Sequence, residues 1–493
     1  MQEQATPREL MLIDGKQTPG ASGNFIPVEN PSKRGTIVAE VPSASEVDVD
    51  VAVKAAARAF ETWKKMPARE RGKLLLKIAD AVDAGSEEIA RTIAQENGNA
   101  IRTQSRPEVK NTSDQFRYFG GLASEIKGTT YPTGEDVFTY TRREPLGVVA
   151  GLVPWNVPVM LAACKIAPAL AAGNTIVVKA ASDAPIGTLK MAKIADKFLP
   201  PGVLNVITGP GQECGMALVN HPLIRKISLT GSTEVGKLLL HAAADRIIPS
   251  TSELGGKNPQ IVFPDADKDY VVDGVIDAVR FARQGQSCTS GSRIYVHKSI
   301  FDSFLQRLVT RVKKLKVGDP LDEATDMGAI TSRRQFEKVC AYIEEGMKRE
   351  GVRLLCGGLP PKEGPLAEGY YIEPTIFACN HDNWRLAREE IFGPVVVAIP
   401  WEDEGEVIEM ANDTNYGLAA FVWTHDAAKG MRVAHSINAG WILVNRGGAQ
   451  ILGQPYGGMK ESGLGRENSL EGLLESYTEI KSIMVNLAFP PKG

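Results

Sequence analysis

From residue 146 onwards, short apolar runs alternate with stretches of helical periodicity, and this alternation narrows the possible folds more than any other feature of the chain. The runs fall at 146–153, 175–178, 203–207, 226–229 and 247–251, with helix candidates at 157–172, 185–198, 212–220 and 233–244 between them. Continuous apolar strands separated by helices predict a parallel sheet covered on both faces. A second alternation follows residue 257. Strands are expected at 261–263, 293–296, 395–399, 418–422 and 442–444, and helices at 269–283, 300–315, 404–412 and 427–437. Two α/β units are therefore expected.

Upstream, the first hundred residues read as helical. Ser43 and Glu46 have capping-box spacing, and Val53, Ala56, Ala57 and Phe60 fall at i, i+3, i+4 and i+7. Leu74, Leu75, Ile78, Ala81 and Val82 repeat that face after Pro67. Residues 137–142 and 475–485 look extended and isolated, which suits pairing with each other or with a partner chain.

Composition removes several classes. With 56 basic and 59 acidic side chains the net charge is −3, which offers no global field for nucleic acid or an anionic membrane. A chain that is 43% hydrophobic and 23% charged is not wholly disordered. Six cysteines without a C-x-x-C pair argue against a disulfide framework or structural zinc, so they are expected to be cytoplasmic thiols. Residues 1–10 contain Glu3, Arg8 and Glu9 and lack the apolar core of a signal peptide. Residues 145–164 are uncharged and long enough to cross a bilayer. Gly147, Gly151, Pro154, Trp155, Asn156 and Pro158 interrupt them, however, and a strand, turn and helix of a non-membrane protein is the expectation.

An alternating sheet binds ligands at the carboxyl ends of its strands. Two glycine-rich loops follow strands there. Thr208-Gly209-Pro210-Gly211-Gln212-Glu213-Cys214-Gly215 approaches G-x-G-x-x-G, with Cys214 in place of the third glycine. Gly231-Ser232-Thr233-Glu234-Val235-Gly236-Lys237 resembles a P-loop until Leu238, where an ATPase needs Ser or Thr for Mg²⁺. What survives is a helix N-terminus suited to a pyrophosphate. Ordinary turn glycines would account for either loop taken alone. Cys288, in the polar segment Gln284-Gly285-Gln286-Ser287-Cys288-Thr289, is the candidate nucleophile, whereas Cys164, Cys214, Cys340, Cys356 and Cys379 sit in or beside apolar patterns. A free thiol is only a few per cent ionised at neutral pH, so its surroundings must activate it. None of the six histidines lies in a glycine-rich loop or at metal-ligand spacing, and no metal is expected. Glu253, directly after the fifth strand run, is the better candidate base, although an exposed loop glutamate would be the plainer account of it in isolation.

Several motifs then recur in a fixed order: Pro154-Trp155-Asn156, Lys179, Gly231 to Gly236, Glu253-Leu254-Gly255-Gly256-Lys257, Gly285-Gln286-Ser287-Cys288, Glu390-Ile391-Phe392-Gly393-Pro394, and Pro455-Tyr456-Gly457-Gly458-Met459-Lys460-Glu461-Ser462-Gly463. That order resembles the aldehyde dehydrogenase superfamily along essentially the whole chain. The resemblance implies a Rossmann-like NAD(P)-binding domain at 1–122 and 146–255 and a catalytic α/β domain at 256–470. It also implies a small β oligomerisation flap at 127–145 and 471–493.

The implied reaction oxidises an aldehyde irreversibly to a carboxylic acid with NAD⁺ or NADP⁺. Cys288 would form a thiohemiacetal, and the Asn156 amide with the Cys288 N–H would hold the oxyanion. Hydride transfer to the nicotinamide would leave a thioester, and Glu253 would activate the water that releases the acid. A glutamate there distinguishes hydrolytic from CoA-acylating relatives. Cofactor contacts carried over are Val153, Pro154, Trp155, Lys179, Ser182, Gly211, Gly215, Ser232, Val235, Leu254, Gly255, Glu390 and Phe392. Ser182 departs from the glutamate of strongly NAD-selective members, so NADP⁺ is expected to be accepted alongside NAD⁺.

Substrate contacts carried over are Val157, Leu161, Cys164, Ser287, Thr289 and Tyr456. Val157, Leu161 and Cys164 replace familiar large side chains, which predicts room for a bulky aromatic or long-chain aldehyde. Arg446 could instead meet a substrate carboxylate, as in a semialdehyde dehydrogenase, although a solvated loop arginine is the plainer expectation. A non-catalytic structural protein, an esterase and a CoA-acylating enzyme are the competing functions. A homodimer or homotetramer is expected.

Overall fold

The computed structural model describes residues 6–448 and 450–488. The outer ends of the expected cofactor unit (1–5) and of the expected flap (489–493) lie outside the described residues. The first alternation forms the centre of an eight-stranded sheet. Val148–Leu152, Thr175–Lys179, Leu204–Ile207, Ile224–Thr230 and Ser250–Glu253 run parallel, buried along nearly all their length. In chain order their spatial sequence is 5-4-1-2-3, so strand order reverses between Val148–Leu152 and Ile224–Thr230. Ligands of doubly wound sheets bind at such a switch point, outside the carboxyl ends. Gly463–Leu464 returns from far along the chain to add an antiparallel edge beside Ser250–Glu253.

The second sheet has seven strands. Pro259–Val262, Arg293–His297, Thr375–Ala378, Val395–Trp401, Ala419–Trp423 and Trp441–Val444 are parallel, and Arg353–Cys356 closes one edge antiparallel. Together the two sheets give the mixed α/β architecture that the alternation predicts. The third sheet is small: Val137–Pro145 pairs antiparallel along its whole length with Thr478–Asn486, and Thr130–Tyr131 flanks it. The two isolated extended segments are thus each other's partners.

Several expectations are corrected. The chain is not helical from its start, because four short strands lie between Met11 and Pro42. Their apolar runs are too short to show a period, and Met11–Ile13 pairs with the adjacent Lys16–Thr18 and, nearly two hundred residues away, with Leu204–Ile207. The capping box uses Ser45 and Asp48, not Ser43 and Glu46. Residue 247 stands outside its expected strand, since Ile247 is in the left-handed region (φ 52°) and 94% exposed. The expected helix 269–283 ends at Val279. Arg280 turns left-handed (φ 64°), and one short 3-10 turn, Phe281–Arg283, leads into the Cys288 loop. Arg353–Cys356, Thr375–Ala378 and the helix Arg333–Lys348 were not anticipated. Among the described residues, no helix is long and apolar enough to cross a membrane, and residues 145–164 are a strand, a turn and a helix start.

Candidate active site

The site lies where the two large sheets meet. The first sheet presents its carboxyl ends: Pro154, Trp155 and Asn156 follow Val148–Leu152, Gly231 and Ser232 follow Ile224–Thr230, and Leu254 and Gly255 follow Ser250–Glu253. The second sheet presents its amino ends, with Asn258 before Pro259–Val262, Cys288 before Arg293–His297, and Glu390 and Phe392 before Val395–Trp401. All of these except Asn258 line one cavity of about 340 Å³.

Cys288 is held by its backbone. The Asn258 amide donates to the carbonyls of Cys288 (2.8 Å) and Ser290 (2.9 Å), while its oxygen accepts from the Ala419 N–H. Gly285 turns the loop with φ 63°, and a Cβ there would collide with the Gly393 carbonyl. The Cys288 Sγ stands 3.8 Å from the Tyr456 hydroxyl. Burial pushes the thiol up to about 11, helped by the Glu390 and Glu253 charges and opposed by Tyr456 and Arg283. The Asn156 amide donates 2.9 Å to the Gln286 carbonyl, directly before Ser287 and Cys288.

Glu253 is the last residue of its strand, not part of a following loop, and it is 4% exposed. Neither carboxyl oxygen has a hydrogen-bond partner among the described residues. Burial and the nearby Glu467 hold this carboxyl well above the usual range, against Lys165 and Arg466. Its charge also acts on Tyr456 and Cys288, so thiol, phenol and carboxyl form one group. A buried, unpartnered acid is costly to folding and is a candidate functional position. Behind it, Lys165 and Glu467 form a 2.9 Å ion pair sealed from solvent.

On the cofactor side, Trp155 and Phe392 meet edge to face, with ring centroids 5.2 Å apart. Phe392 has φ 58°, and the Gln335 side chain fixes it by donating to the carbonyls of Ile391 (3.0 Å) and Phe392 (2.8 Å). Glu390 accepts from the Gly256 N–H at 2.9 Å, and burial raises its carboxyl to about 7. Ser232 caps the helix Thr233–Ala244 by accepting from the Val235 N–H. Lys179 donates 2.9 Å to the Ser182 hydroxyl, which donates 3.1 Å to the Gly209 carbonyl. Cys214 occupies the space beside Gly209 that a glycine would leave, pointing Sγ at the Pro210 carbonyl. Val153, Lys179, Ser182, Gly211, Gly215 and Val235 lie outside the lining of the 340 Å³ cavity.

Beyond Cys288 a second cavity, of about 90 Å³, is lined by Asn111, Gln115, Met160, Arg280, Arg283, Thr289, Trp441, Gln450, Leu452 and Asn468. Thr289 is the one predicted substrate residue in that lining. Ser287 is buried and bonded to Thr289 through their hydroxyls at 3.1 Å, Val157 and Cys164 are buried, and Leu161 is half-buried. Arg446 is exposed and lines neither cavity.

Sequence reasoning overlooked the brace behind the site. The turn Asn97-Gly98-Asn99 reaches both lobes: Asn97 donates to the Trp155 carbonyl (2.7 Å), Asn99 to that of Asn156 (3.1 Å), and Gln284 to that of Gly98 (2.8 Å). An Asn-Gly at a helix end, with glycine at φ 81°, was the available signal. Arg334, Gln335 and Lys338 belong to the overlooked helix Arg333–Lys348, whose Ser332 cap and buried Val339, Tyr342, Ile343 and Gly346 keep a 3.6-residue period.

A switch-point cleft opposite a thiol and a buried acid defines a two-lobed α/β dehydrogenase. The chain belongs to the aldehyde dehydrogenase family, whose model matches residues 18–483. An aldehyde dehydrogenase from Bacillus cereus, solved with NAD⁺, is 38% identical over 98% of this chain and 97% of its own (TM-score 0.94). PnpE from Pseudomonas sp. WBC-3 is 39% identical, with 98% and 99% covered and a TM-score of 0.94. Betaine aldehyde dehydrogenase from Staphylococcus aureus, also solved with NAD⁺, is 35% identical, with 98% and 96% covered and a TM-score of 0.94. The protein is an NAD(P)-dependent aldehyde dehydrogenase.

Proposed function

We propose that the chain oxidises its aldehyde by covalent catalysis at Cys288 and hydrolyses the resulting thioester with Glu253. The observation that supports this most is the Glu253 carboxyl, buried without a partner and electrically coupled to the Cys288–Tyr456 pair. Cys288 attacks the carbonyl carbon. Its proton passes to a base, and Glu253, whose affinity for protons is raised, is a suitable acceptor. The carbonyl oxygen takes up negative charge and needs donors. The Asn156 amide now on the Gln286 carbonyl can swing to that oxygen, with the Cys288 N–H as the second donor. The thioester is what remains when the thiohemiacetal gives up its hydride. Glu253, having passed the first proton to solvent, then draws a proton from water, and the hydroxide attacks the thioester, which returns the Cys288 sulfur and releases the acid.

The cleft fits a nicotinamide dinucleotide: a capped helix N-terminus, an indole and a phenyl ring, and a buried carboxyl occupy one cavity. NAD⁺ or NADP⁺ bound there supplies the hydride acceptor. Trp155, Ser232, Leu254 and Gly255 would line its path, Glu390 and Phe392 its ribose beside the nicotinamide, and Lys179 and Ser182 the adenosine ribose. Ser182 bears no charge, and Lys179 stands beside it, so a 2′-phosphate meets attraction and no carboxylate at this position. Residues 1–122 with 146–255 serve as the cofactor unit, 256–470 as the catalytic unit, and 127–145 with 471–493 as the surface for self-association.

The test is NAD(P)H absorbance with an aldehyde panel, run with both cofactors on wild type and Cys288→Ala. Wild type is expected to reduce both cofactors without added CoA, and Cys288→Ala neither. Reduction that requires CoA, or that survives Cys288→Ala, defeats the mechanism. A catalytic efficiency with NADP⁺ a thousandfold below that with NAD⁺ defeats the dual-cofactor reading.

A further inference from the structure

The 90 Å³ cavity that adjoins Thr289 is not the apolar tunnel that small residues at 157, 161 and 164 predict. Amides from Asn111 and Gln115 face it, and two guanidinium groups, Arg280 and Arg283, form one wall. The two arginines are differently engaged. Arg280 donates to the carbonyls of Gly447 (2.8 Å) and Gly448 (2.7 Å), so its charge is spent on holding that loop. The Arg283 side chain makes no hydrogen bond and no salt bridge among the described residues, and its Nε is buried without a partner. It stands five residues before Cys288, close enough for its charge to act on the thiol and on Tyr456.

The Arg283 guanidinium is half-buried, and its open donors can hold an anion by charge-assisted hydrogen bonds. The groups that face it are Arg280, Cys288, Tyr456 and Glu108. Glu108 is the one carboxyl among them, and it is half engaged elsewhere: its Oε1 accepts from the Val159 N–H at 2.9 Å and the Met160 N–H at 3.4 Å, at the start of the helix Pro158–Ala171, while its Oε2 has no partner among the described residues. Burial raises Glu108 to about 7, so near neutrality it cancels only part of the arginine's charge. The wall of the cavity stays cationic.

We propose that Arg283 is an anion-binding residue of the substrate cavity, and that the aldehyde oxidised here carries a carboxylate a short chain away from the reacting carbonyl. This rests on the reading that Cys288 attacks the aldehyde. The size of the cavity sets the length: at about 10–15 Å³ for each water-sized group, there is room for roughly six to nine heavy atoms. A short ω-oxocarboxylate fits, with its aldehyde at Cys288 and its carboxylate on the open fork of Arg283.

The test compares 4-oxobutanoate with hexanal, an uncharged aldehyde with the same number of heavy atoms. In the wild type, kcat/KM is expected to be higher for 4-oxobutanoate. Arg283→Gln should lower the ratio of the two efficiencies by roughly tenfold to a hundredfold, the worth of a charge-assisted hydrogen bond, mainly through KM for the anion. Arg283→Lys should restore part of it. A second measurement needs only the wild type: succinate should inhibit hexanal oxidation competitively, raising KM and leaving kcat alone. Preference of the wild type for hexanal, a ratio unmoved by Arg283→Gln, or absence of succinate competition overturns the anion site while hexanal turnover leaves the Cys288 reading standing. No turnover of any aldehyde removes both.

Discussion

Cys288 sits where a thiolate is hard to form, because the pocket that desolvates it also places Glu390 and Glu253 nearby. The reactive form is the thiolate, and a thiol pushed up to about 11 remains mostly protonated through neutrality. Below that value the thiolate fraction rises about tenfold with each pH unit, since one proton is lost. Alkylation of Cys288 by iodoacetamide in the cofactor-free enzyme should therefore quicken with pH from 7 to 9 with no plateau. Mass spectrometry of the modified peptide reads the rate, and a plateau reached below pH 8 would show a thiol activated before any ligand binds. Cys164 and Cys214 should lag, because they are buried and held higher than a free thiol. Among residues, the proposed reacting groups were singled out by the motifs around them, since Cys288 or Glu253 taken alone would pass for a structural residue. Asn97, Asn99 and Asn258 were not, because an asparagine that bridges two loops looks the same in sequence as one that faces solvent.

At the scale of elements, legibility followed periodicity. Thr233–Ala244 and Glu404–Asn412 have the bounds that their patterns predict, each with a capping side chain at its start. Of the four early strands, two are only three residues long and have no measurable period, and Met11–Ile13 enters the large sheet through the remote Leu204–Ile207. The helix 269–283 failed at Arg280 because the apolar pattern continues through a residue whose backbone has already turned left-handed. That break matters. It aims Arg283 into the cavity and starts the loop that Gly285 completes. Gly285→Ala adds a side chain at φ 63° and against the Gly393 carbonyl, so the loop must move. Strain of this kind costs about 1–3 kcal/mol. The expected result is a lower thermal midpoint and a fall in kcat of at least about a hundredfold, since small misplacement of a nucleophile is costly. Wild-type kcat in a folded Gly285→Ala enzyme would show that the loop does not position Cys288.

For the whole molecule, the site exists because two sheets face each other with opposite ends, one offering carboxyl ends and the other amino ends. Glu467 ties a late segment to Lys165 in the first lobe, and Gly463–Leu464 joins the first sheet beside Glu253, so the chain crosses the cleft more than once. The third sheet is different in kind. Thr478–Asn486 is its edge strand, paired on one side with Val137–Pro145, and it is exposed along most of its length, Ile480 by 60% and Met484 by 71%. A three-stranded ribbon without a covering layer gains little from burial, and an open edge invites another strand. Lys481 and Glu479 do not close that edge: their backbone groups face Val137–Pro145, and those of Ile480, Ser482 and Met484 are the ones that turn outward, free to pair with another strand. The expected occupant is a second copy of this chain. Light scattering after size exclusion should give a mass of at least two chains for the wild type, and Ile480→Lys with Met484→Lys should reduce it by placing two like charges at the contact. A wild type that runs as a monomer at micromolar concentration, or a double variant of unchanged mass, would place self-association elsewhere or remove it.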